Sequence, residues 1–215
     1  MLNIRCKAIL FDLDGTLVDS GACIENLWSE WAEINHLDVG YVLSIIHGRT
    51  IEETLKKISH YFYADDCITD IKKLAIQKLS HVSPLPGAVD FLAQLPSDIF
   101  AVVTSGSRTV ALPSIRGAGL PLPDIIITSE DVCYGKPAPE PYLKAAESLG
   151  VHPDDCLVFE DADTGIKSAV AAGMQVVVIG TSECQDAENN ILLRIDDYLN
   201  LKVITDGEYI NLTCG

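Results

Sequence analysis

The sequence predicts an α/β protein in which a doubly wound parallel sheet carries an inserted helical domain. Five short apolar runs rich in β-branched residues indicate buried strands. They lie at residues 8–11, 99–103, 125–128, 156–159 and 176–179. Amphipathic stretches of helix length separate most of them, at residues 87–94, 107–117, 139–149 and 164–172. Such alternation predicts a parallel sheet with helices on both faces.

One long interval breaks this alternation, because residues 18–86 show helical periodicity but no convincing strand. Apolar residues recur there at spacings of three and four, as in Ile24, Leu27, Trp28, Trp31 and Ile34. Stripes of this kind are typical of the core of a helical bundle. We therefore expect a core domain formed by residues 1–17 and 85–215, and a helical cap domain formed by residues 18–84.

The segment after residue 180 gives weaker signals. Residues 191–195 are consistent with a last edge strand, and residues 196–199 with a short helix. The final ten or so residues have no clear partner in the predicted sheet, and we expect them to fray.

Composition narrows the possible functions. With 48% hydrophobic residues among 215, the chain is able to bury a substantial core. Fifteen Lys and Arg against 31 Asp and Glu give a formal charge of −16, which disfavours nucleic acids and anionic membranes as partners. The seven cysteines show no CxxC spacing, so neither a zinc site nor a disulfide framework is expected. We expect a monomer in the cytoplasm.

Chemically active residues follow the first predicted strand. Ligands of parallel α/β sheets bind at the carboxyl ends of the strands. Asp12 and Asp14 stand there in the sequence DLDGT, and Gly15 permits a tight turn. Two such carboxylates can share a hard cation while one attacks a substrate and the other transfers protons. The alternative is that both acids merely cap a turn.

The next two predicted strands are followed by groups suited to an anion. Ser105 and Gly106, in TSGS, offer a hydroxyl and a backbone amide near the start of a helix, although an ordinary helix cap would look the same. Lys136, in GKPAPEPY, places a cation where it could balance a phosphate and a carboxylate. Its alternative is a solvated lysine.

The fourth strand end is acidic. Glu160 and Asp161, in FEDADTG, could complete an oxygen ligand shell for magnesium, or could simply precede a helix. Carboxylates, an anion site, a cation and further acids in this order at one sheet edge are together typical of phosphoryl transfer through a covalent intermediate.

These motifs resemble those of the haloacid dehalogenase superfamily, particularly its phosphatases and β-phosphoglucomutases with a small helical cap. The match covers roughly residues 6–180, and the ordered set of motifs is highly specific. The resemblance implies a Rossmann-like core in which Asp12 is the nucleophile and Asp14 the general acid and base. It further implies phosphate binding by Ser105, the amide of Gly106 and Lys136. It implies magnesium bound by Asp12, Asp14, Glu160 and Asp161.

Departures from the family patterns favour one activity over others. Asp14 argues against the dehalogenases, and the absence of a lysine between residues 19 and 31 argues against phosphonate hydrolysis. The turn of His47, Gly48 and Arg49 resembles a loop that contacts sugar phosphates, although a solvated turn between helices is the alternative. Mutases of this group place a histidine in the first cap helix, where this sequence has Ile24.

The sequence therefore predicts a magnesium-dependent phosphatase of small phosphorylated metabolites, with sugar or polyol phosphates expected. A sugar phosphomutase similar to β-phosphoglucomutase is one alternative. A non-catalytic, phosphate-binding regulatory module is another.

Overall fold

A six-stranded, wholly parallel sheet forms the centre of the computed structural model, which describes residues 3–182 and 184–214. Its strands are β2, β5, β6, β7, β8 and β9, in the spatial order β6-β5-β2-β7-β8-β9. The strands of the chain are β1 (Asn3–Cys6), β2 (Ala8–Phe11), β3 (Val18–Asp19), β4 (Ser83–Pro84), β5 (Phe100–Val103), β6 (Ile125–Ile127), β7 (Cys156–Glu160), β8 (Gln175–Ile179), β9 (Ile191–Ile195), β10 (Leu201–Thr205) and β11 (Ile210–Cys214). The five predicted core strands and the edge strand at residues 191–195 are confirmed.

Helices cover both faces of this sheet, as predicted. The helices are α1 (Gly21–Ile34), α2 (Val39–Ile46), α3 (Ile51–Ile58), α4 (Asp65–Leu79), α5 (Ala88–Leu92), α6 (Arg108–Gly117), α7 (Glu140–Leu149) and α8 (Asp163–Ala171). Neighbouring residues on a strand point to opposite faces. Phe11 therefore packs in a core with α5 and α6, while Leu10 packs in a second core with α7 and α8.

Helices α1 to α4 lie between β3 and β4, and their apolar stripes meet one another. Trp31 packs edge-on against both Trp28 and Phe62, with ring centroids 5.6 and 5.0 Å apart. A capping box between Thr50 and Glu53 fixes the start of α3. None of these helices, nor any other in the described part of the chain, is long and apolar enough to cross a membrane.

Two very short strands close this helical segment, where the sequence indicated none. Val18 pairs with Pro84 and Asp19 with Ser83 in an antiparallel ladder of two residues, which brings the two connections of the segment together. Two residues are too few to produce a recognisable period, which is why pattern analysis missed them.

The expectation for the end of the chain was wrong. Residues 196–199 form a turn rather than a helix, and the following residues do not fray. Strands β10 and β11 instead join β1 in a three-stranded antiparallel sheet, in which Ile210 and Leu212 are buried. The alternation of these apolar residues with polar neighbours is typical of a strand. The partner of β11, however, is β1 at the other end of the chain, which a local pattern does not reveal.

Candidate active site

A buried lysine connects the ends of three strands. The Nζ atom of Lys136 lies 2.6 Å from Asp12 Oδ1 and 2.6 Å from Glu160 Oε1, and it donates a third hydrogen bond to the carbonyl of Val103 at 3.0 Å. Burial alone would lower the pKa of Lys136, but the carboxylates of Asp12 and Glu160 outweigh burial and raise it. Lys136 is therefore a cation with all three of its N–H donors engaged.

Glu160 is held from every side. Besides Lys136, its Oε1 atom accepts a hydrogen bond from Tyr142 at 2.9 Å, and its Oε2 atom accepts from the backbone N–H groups of Asp161 and Ala162 at 3.0 Å each. The next turn of chain packs directly on this carboxylate, because a Cβ atom on Gly165 would lie 1.6 Å from Oε1. Glu160 thus sits in a pocket that only glycine at position 165 permits.

Three acids lie close enough to share a cation. Asp12, Glu160 and Asp161 each offer a carboxylate oxygen within 4.8 Å of the others. Burial, and then the charge of Glu160, raises the pKa of Asp161 to about 7. Burial also raises the pKa of Asp12, although Lys136 opposes that change. A single lysine does not balance three acids, of which Asp12 and Glu160 are buried and Asp161 is partly buried. The cluster therefore fits a hard divalent cation that prefers oxygen ligands.

Asp14 lies beside this cluster but has different surroundings. Its Oδ1 atom is buried without a hydrogen-bond partner among the described residues, and so is Ser20 Oγ. Burial raises the pKa of Asp14, while the nearby Ser20 hydroxyl and the charge of Lys136 act in the opposite direction. A buried carboxyl group with an unused oxygen and a raised pKa is suited to proton transfer.

A cavity of about 150 Å³ separates these strand ends from α1 to α4. All ten residues predicted for the site line it: Asp12, Asp14, His47, Gly48, Arg49, Ser105, Gly106, Lys136, Glu160 and Asp161. The backbone N–H of Gly106, expected to face an anion, donates to Thr104 Oγ1 at 3.0 Å. An anion would have to take the place of that hydroxyl.

The turn between α2 and α3 touches the strand ends through one backbone atom. The carbonyl oxygen of Gly48 accepts hydrogen bonds from Thr164 Oγ1 at 3.3 Å and from Ser105 Oγ at 3.5 Å. Gly48 has a φ of +71°, and a Cβ atom there would lie 1.8 Å from Thr164 Oγ1. Both the backbone conformation and the contact require glycine.

The two neighbours of Gly48 have partners within the helical segment. Arg49 Nη1 donates to the carbonyl of Ile45 at 2.9 Å. His47 Nε2 lies 3.5 Å from Glu25 Oε1, with both side chains more than half exposed. The structure thus places this turn at the cavity, where Gly48 contacts Ser105 and Thr164. Contact of the turn with a substrate stays a prediction.

Supporting residues were missed by sequence reasoning. Thr16 donates to Asp161 Oδ1 at 3.2 Å, and Tyr198 in turn donates to the carbonyl of Thr16 at 3.0 Å. Thr16 and Tyr142 belong to the motifs that identified the site, so their positions gave a usable signal. Thr164 also belongs to such a motif, FEDADTG. No local pattern connects Tyr198 to the site, because its contact spans most of the chain.

An acid cluster with a buried lysine, at the carboxyl edge of a doubly wound sheet and beneath a set of helices, fits a hydrolase of the α/β class. Comparison with known families makes the assignment specific. Residues 9–179 match the family model described as haloacid dehalogenase-like hydrolase. The chain belongs to this family, as its motifs predicted.

Relatives agree with this assignment. The chain is 40% identical to hexitol phosphatase A of Escherichia coli (strain K12) over 186 residues, which are 82% of this chain and 84% of that protein. It is 33% identical to glycerol-1-phosphate phosphohydrolase 2 of Saccharomyces cerevisiae (strain ATCC 204508 / S288c), over 84% of this chain and 77% of that protein. A crystal structure of a hydrolase from Pseudomonas syringae superimposes with a TM-score of 0.73 at 29% identity, covering 90% of this chain and 96% of that chain.

Proposed function

We propose that this protein is a magnesium-dependent phosphatase that hydrolyses phosphate monoesters of small sugars or polyols through an aspartyl-phosphate on Asp12. The observation that carries the proposal is the bridge from Lys136 to Asp12 and Glu160, beside which lies Asp14, whose buried Oδ1 atom has no hydrogen-bond partner among the described residues. The family, and relatives named as phosphatases of hexitol and glycerol phosphates, support the same reaction class.

Asp12 is the proposed nucleophile. Lys136 holds its Oδ1 atom at 2.6 Å, which leaves Oδ2 to attack phosphorus. The bond from Oδ2 to phosphorus forms as the bond from phosphorus to the ester oxygen breaks. The leaving oxygen takes a proton from Asp14, so the alcohol departs neutral.

Asp14 then acts in the opposite direction. Once it has lost its proton it is a carboxylate, and it accepts a proton from the water that attacks phosphorus of the aspartyl-phosphate. This step releases inorganic phosphate and restores both Asp12 and protonated Asp14. Burial raises the pKa of Asp14, which favours the protonated form that the first step requires.

The substrate phosphate is proposed to contact Ser105, the amide of Gly106 and Lys136. The hydroxyl of Ser105 and the amide of Gly106 already have weak or replaceable partners, in Gly48 and Thr104. Lys136 has no unused donor in this arrangement, so it acts on the phosphate through its charge unless one of its three bonds is exchanged.

Asp12, Asp161 and the backbone carbonyl of Asp14 are the proposed magnesium ligands. When bound, magnesium supplies positive charge that stabilises the developing charge on the phosphoryl oxygens. Glu160 was also predicted as a ligand, but both of its oxygens are engaged by Lys136, Tyr142 and backbone amides. We therefore assign Glu160 a positioning role, in which it holds Lys136 against Asp12.

Residues 18–84 are proposed to form the cap domain that covers the site, with His47, Gly48 and Arg49 nearest the substrate. The histidine that characterises mutases is replaced by Ile24, which lines the cavity. An apolar side chain there offers no group to retain a phosphorylated intermediate, so hydrolysis is favoured over mutase activity. A cytoplasmic location remains a prediction.

An aryl phosphate provides the simplest test. We expect magnesium-dependent release of inorganic phosphate that stops with a chelator and returns when magnesium is added. No turnover of any phosphate monoester with magnesium present would contradict the proposal and favour a regulatory module. Accumulation of a sugar bisphosphate from a sugar monophosphate would instead indicate a mutase.

A further inference from the structure

An ion pair lies on the side of the cavity formed by α3 and α4. We call this side the cap wall; its lining residues are Ile51, Glu52, Lys72, Ala75 and Leu79. Three of these residues are apolar, and the other two meet, with Lys72 Nζ 2.6 Å from Glu52 Oε1. Their side chains are 26% and 32% exposed, so they remain accessible from the cavity. The pair belongs to no motif and has no part in the chemical steps.

This pair has unused capacity for hydrogen bonds. Lys72 has three N–H donors and uses one on Glu52, while the carboxylate of Glu52 keeps further acceptor positions. A hydroxyl group both donates and accepts a hydrogen bond. Two adjacent hydroxyls can therefore bind the pair at once, one accepting from Lys72 and the other donating to Glu52.

The net charge of the pair bears on which substrates could bind beside it. Lys72 and Glu52 sum to zero, so an uncharged polyhydroxyl chain meets no electrostatic penalty. A second phosphate group would approach Lys72 only with Glu52 directly beside it, and the two negative charges would repel.

Arg49 is the other full cation that lines the cap side of the cavity among the described residues. It is adjacent to Gly48, whose carbonyl contacts Ser105 and Thr164. Its side chain is held within the helical segment, where Nη1 donates to the carbonyl of Ile45 at 2.9 Å.

We propose that Glu52 and Lys72 bind hydroxyl groups of the leaving alcohol and thereby select phosphate monoesters of uncharged polyols against substrates with a second phosphate. This inference rests on the proposed phosphatase activity. Glu52 supplies the exclusion as well as half of the binding, because it neutralises the lysine that would otherwise attract a second anion.

Opposite effects of two substitutions provide the test. The measured quantity is kcat/KM for fructose 1,6-bisphosphate divided by kcat/KM for sorbitol 6-phosphate. Glu52→Gln keeps the shape but leaves Lys72 unpaired, so we expect this ratio to rise by about tenfold. Lys72→Met leaves Glu52 unpaired, so we expect a higher KM for sorbitol 6-phosphate, which loses a hydrogen-bond donor, and a larger loss of kcat/KM for fructose 1,6-bisphosphate, whose second phosphate the carboxylate repels. The ratio should therefore fall.

A second ion pair, on α4 beside Lys72, serves as control. Lys73 and Asp70 lie 3.2 Å apart, with side chains 71% and 74% exposed and outside the cavity lining. Lys73→Met and Asp70→Asn should leave the ratio within about twofold. An unchanged ratio in both cavity variants, or a shift in the same direction, would overturn the inference. If the unsubstituted protein hydrolyses no monophosphate, the proposed function itself has failed.

Discussion

The strand-end site and the cap wall use charge in different ways. At the strand ends, the carboxylates of Asp12 and Glu160 and the ammonium of Lys136 are buried, with acids in excess. On the cap wall, Glu52 and Lys72 form one neutral pair that remains partly exposed. Buried charge interacts strongly because little water screens it, whereas an accessible neutral pair adds little to stability. The difference teaches that one region concentrates charge for chemistry while the other is suited to recognising a neutral alcohol.

Removal of Asp12, the proposed nucleophile, should give the largest effect and is the strongest test of the difference between the two regions. Asp12→Asn retains size and shape but replaces a carboxylate with a poor nucleophile. We expect kcat to fall by about 10⁴-fold or more with the fold intact. Steady-state release of inorganic phosphate, together with a circular dichroism spectrum, measures both.

The same change at a nearby exposed acid provides the control. Asp163 begins α8, pairs with Lys167 and is 46% exposed, so Asp163→Asn should alter kcat by less than about twofold. An Asp12→Asn protein within tenfold of the original rate would rule out the covalent route.

Loss of Asp14, the proposed proton donor, should give a smaller effect that depends on the substrate. Without Asp14 an alkyl alcohol must leave as an alkoxide, whereas a nitrophenolate leaves readily without a proton. For Asp14→Ala we therefore expect kcat to fall by roughly 10²- to 10⁴-fold on glycerol 1-phosphate, and by clearly less on p-nitrophenyl phosphate. Equal losses on the two esters would show that Asp14 does not protonate the leaving group.

The smallest expected effect is the dependence of stability on pH. We expect it at the strand-end site, which has an excess of acids, and not at the neutral pair of Glu52 and Lys72. The pKa of Asp161 in the folded, metal-free protein is about 7, above its ordinary value of 3.8. The folded state therefore binds more protons than the unfolded state between these values, and its stability falls as pH rises from about 4 to 7.

Thermal unfolding followed at pH 5 and pH 8 measures this effect. Between pH 5 and pH 8 we expect the Tm of the unsubstituted, metal-free protein to fall by a few degrees more than the Tm of the Asp161→Asn variant. At this chain length about 1 kcal/mol of stability corresponds to 2–4 °C in Tm. Added magnesium should remove most of the difference at pH 8. Parallel curves for the two proteins would show that Asp161 carries no unbalanced charge.

The strand-end site could be predicted from sequence to a large extent, for a physical reason. In a parallel sheet the carboxyl ends of strands share one edge, so Asp12, Lys136 and Glu160 could be placed together without coordinates. Which oxygen of Glu160 faces which donor could not be predicted. That arrangement depends on the close approach of Gly165 and on Tyr142, a helix residue whose direction follows from tertiary packing.

The cap wall and the chain end were less accessible to the same reasoning. The pairing of Glu52 with Lys72 depends on how α3 packs against α4, and helical periodicity gives each helix its apolar face but not its partner. The sheet of β1, β10 and β11 joins residues about 200 apart in sequence, including Asn3 with Thr213. Pairing over such a distance leaves no local signal.

The contact made by Gly48 has a consequence for how substrate specificity can change. Its carbonyl oxygen belongs to the main chain, so exchange of the neighbouring His47 or Arg49 leaves the bonds from Ser105 and Thr164 available. Only position 48 is constrained, by its φ of +71°. Substitutions at positions 47 and 49 can therefore change the side chains that line the cavity while the hydrogen bonds of the Gly48 carbonyl are kept.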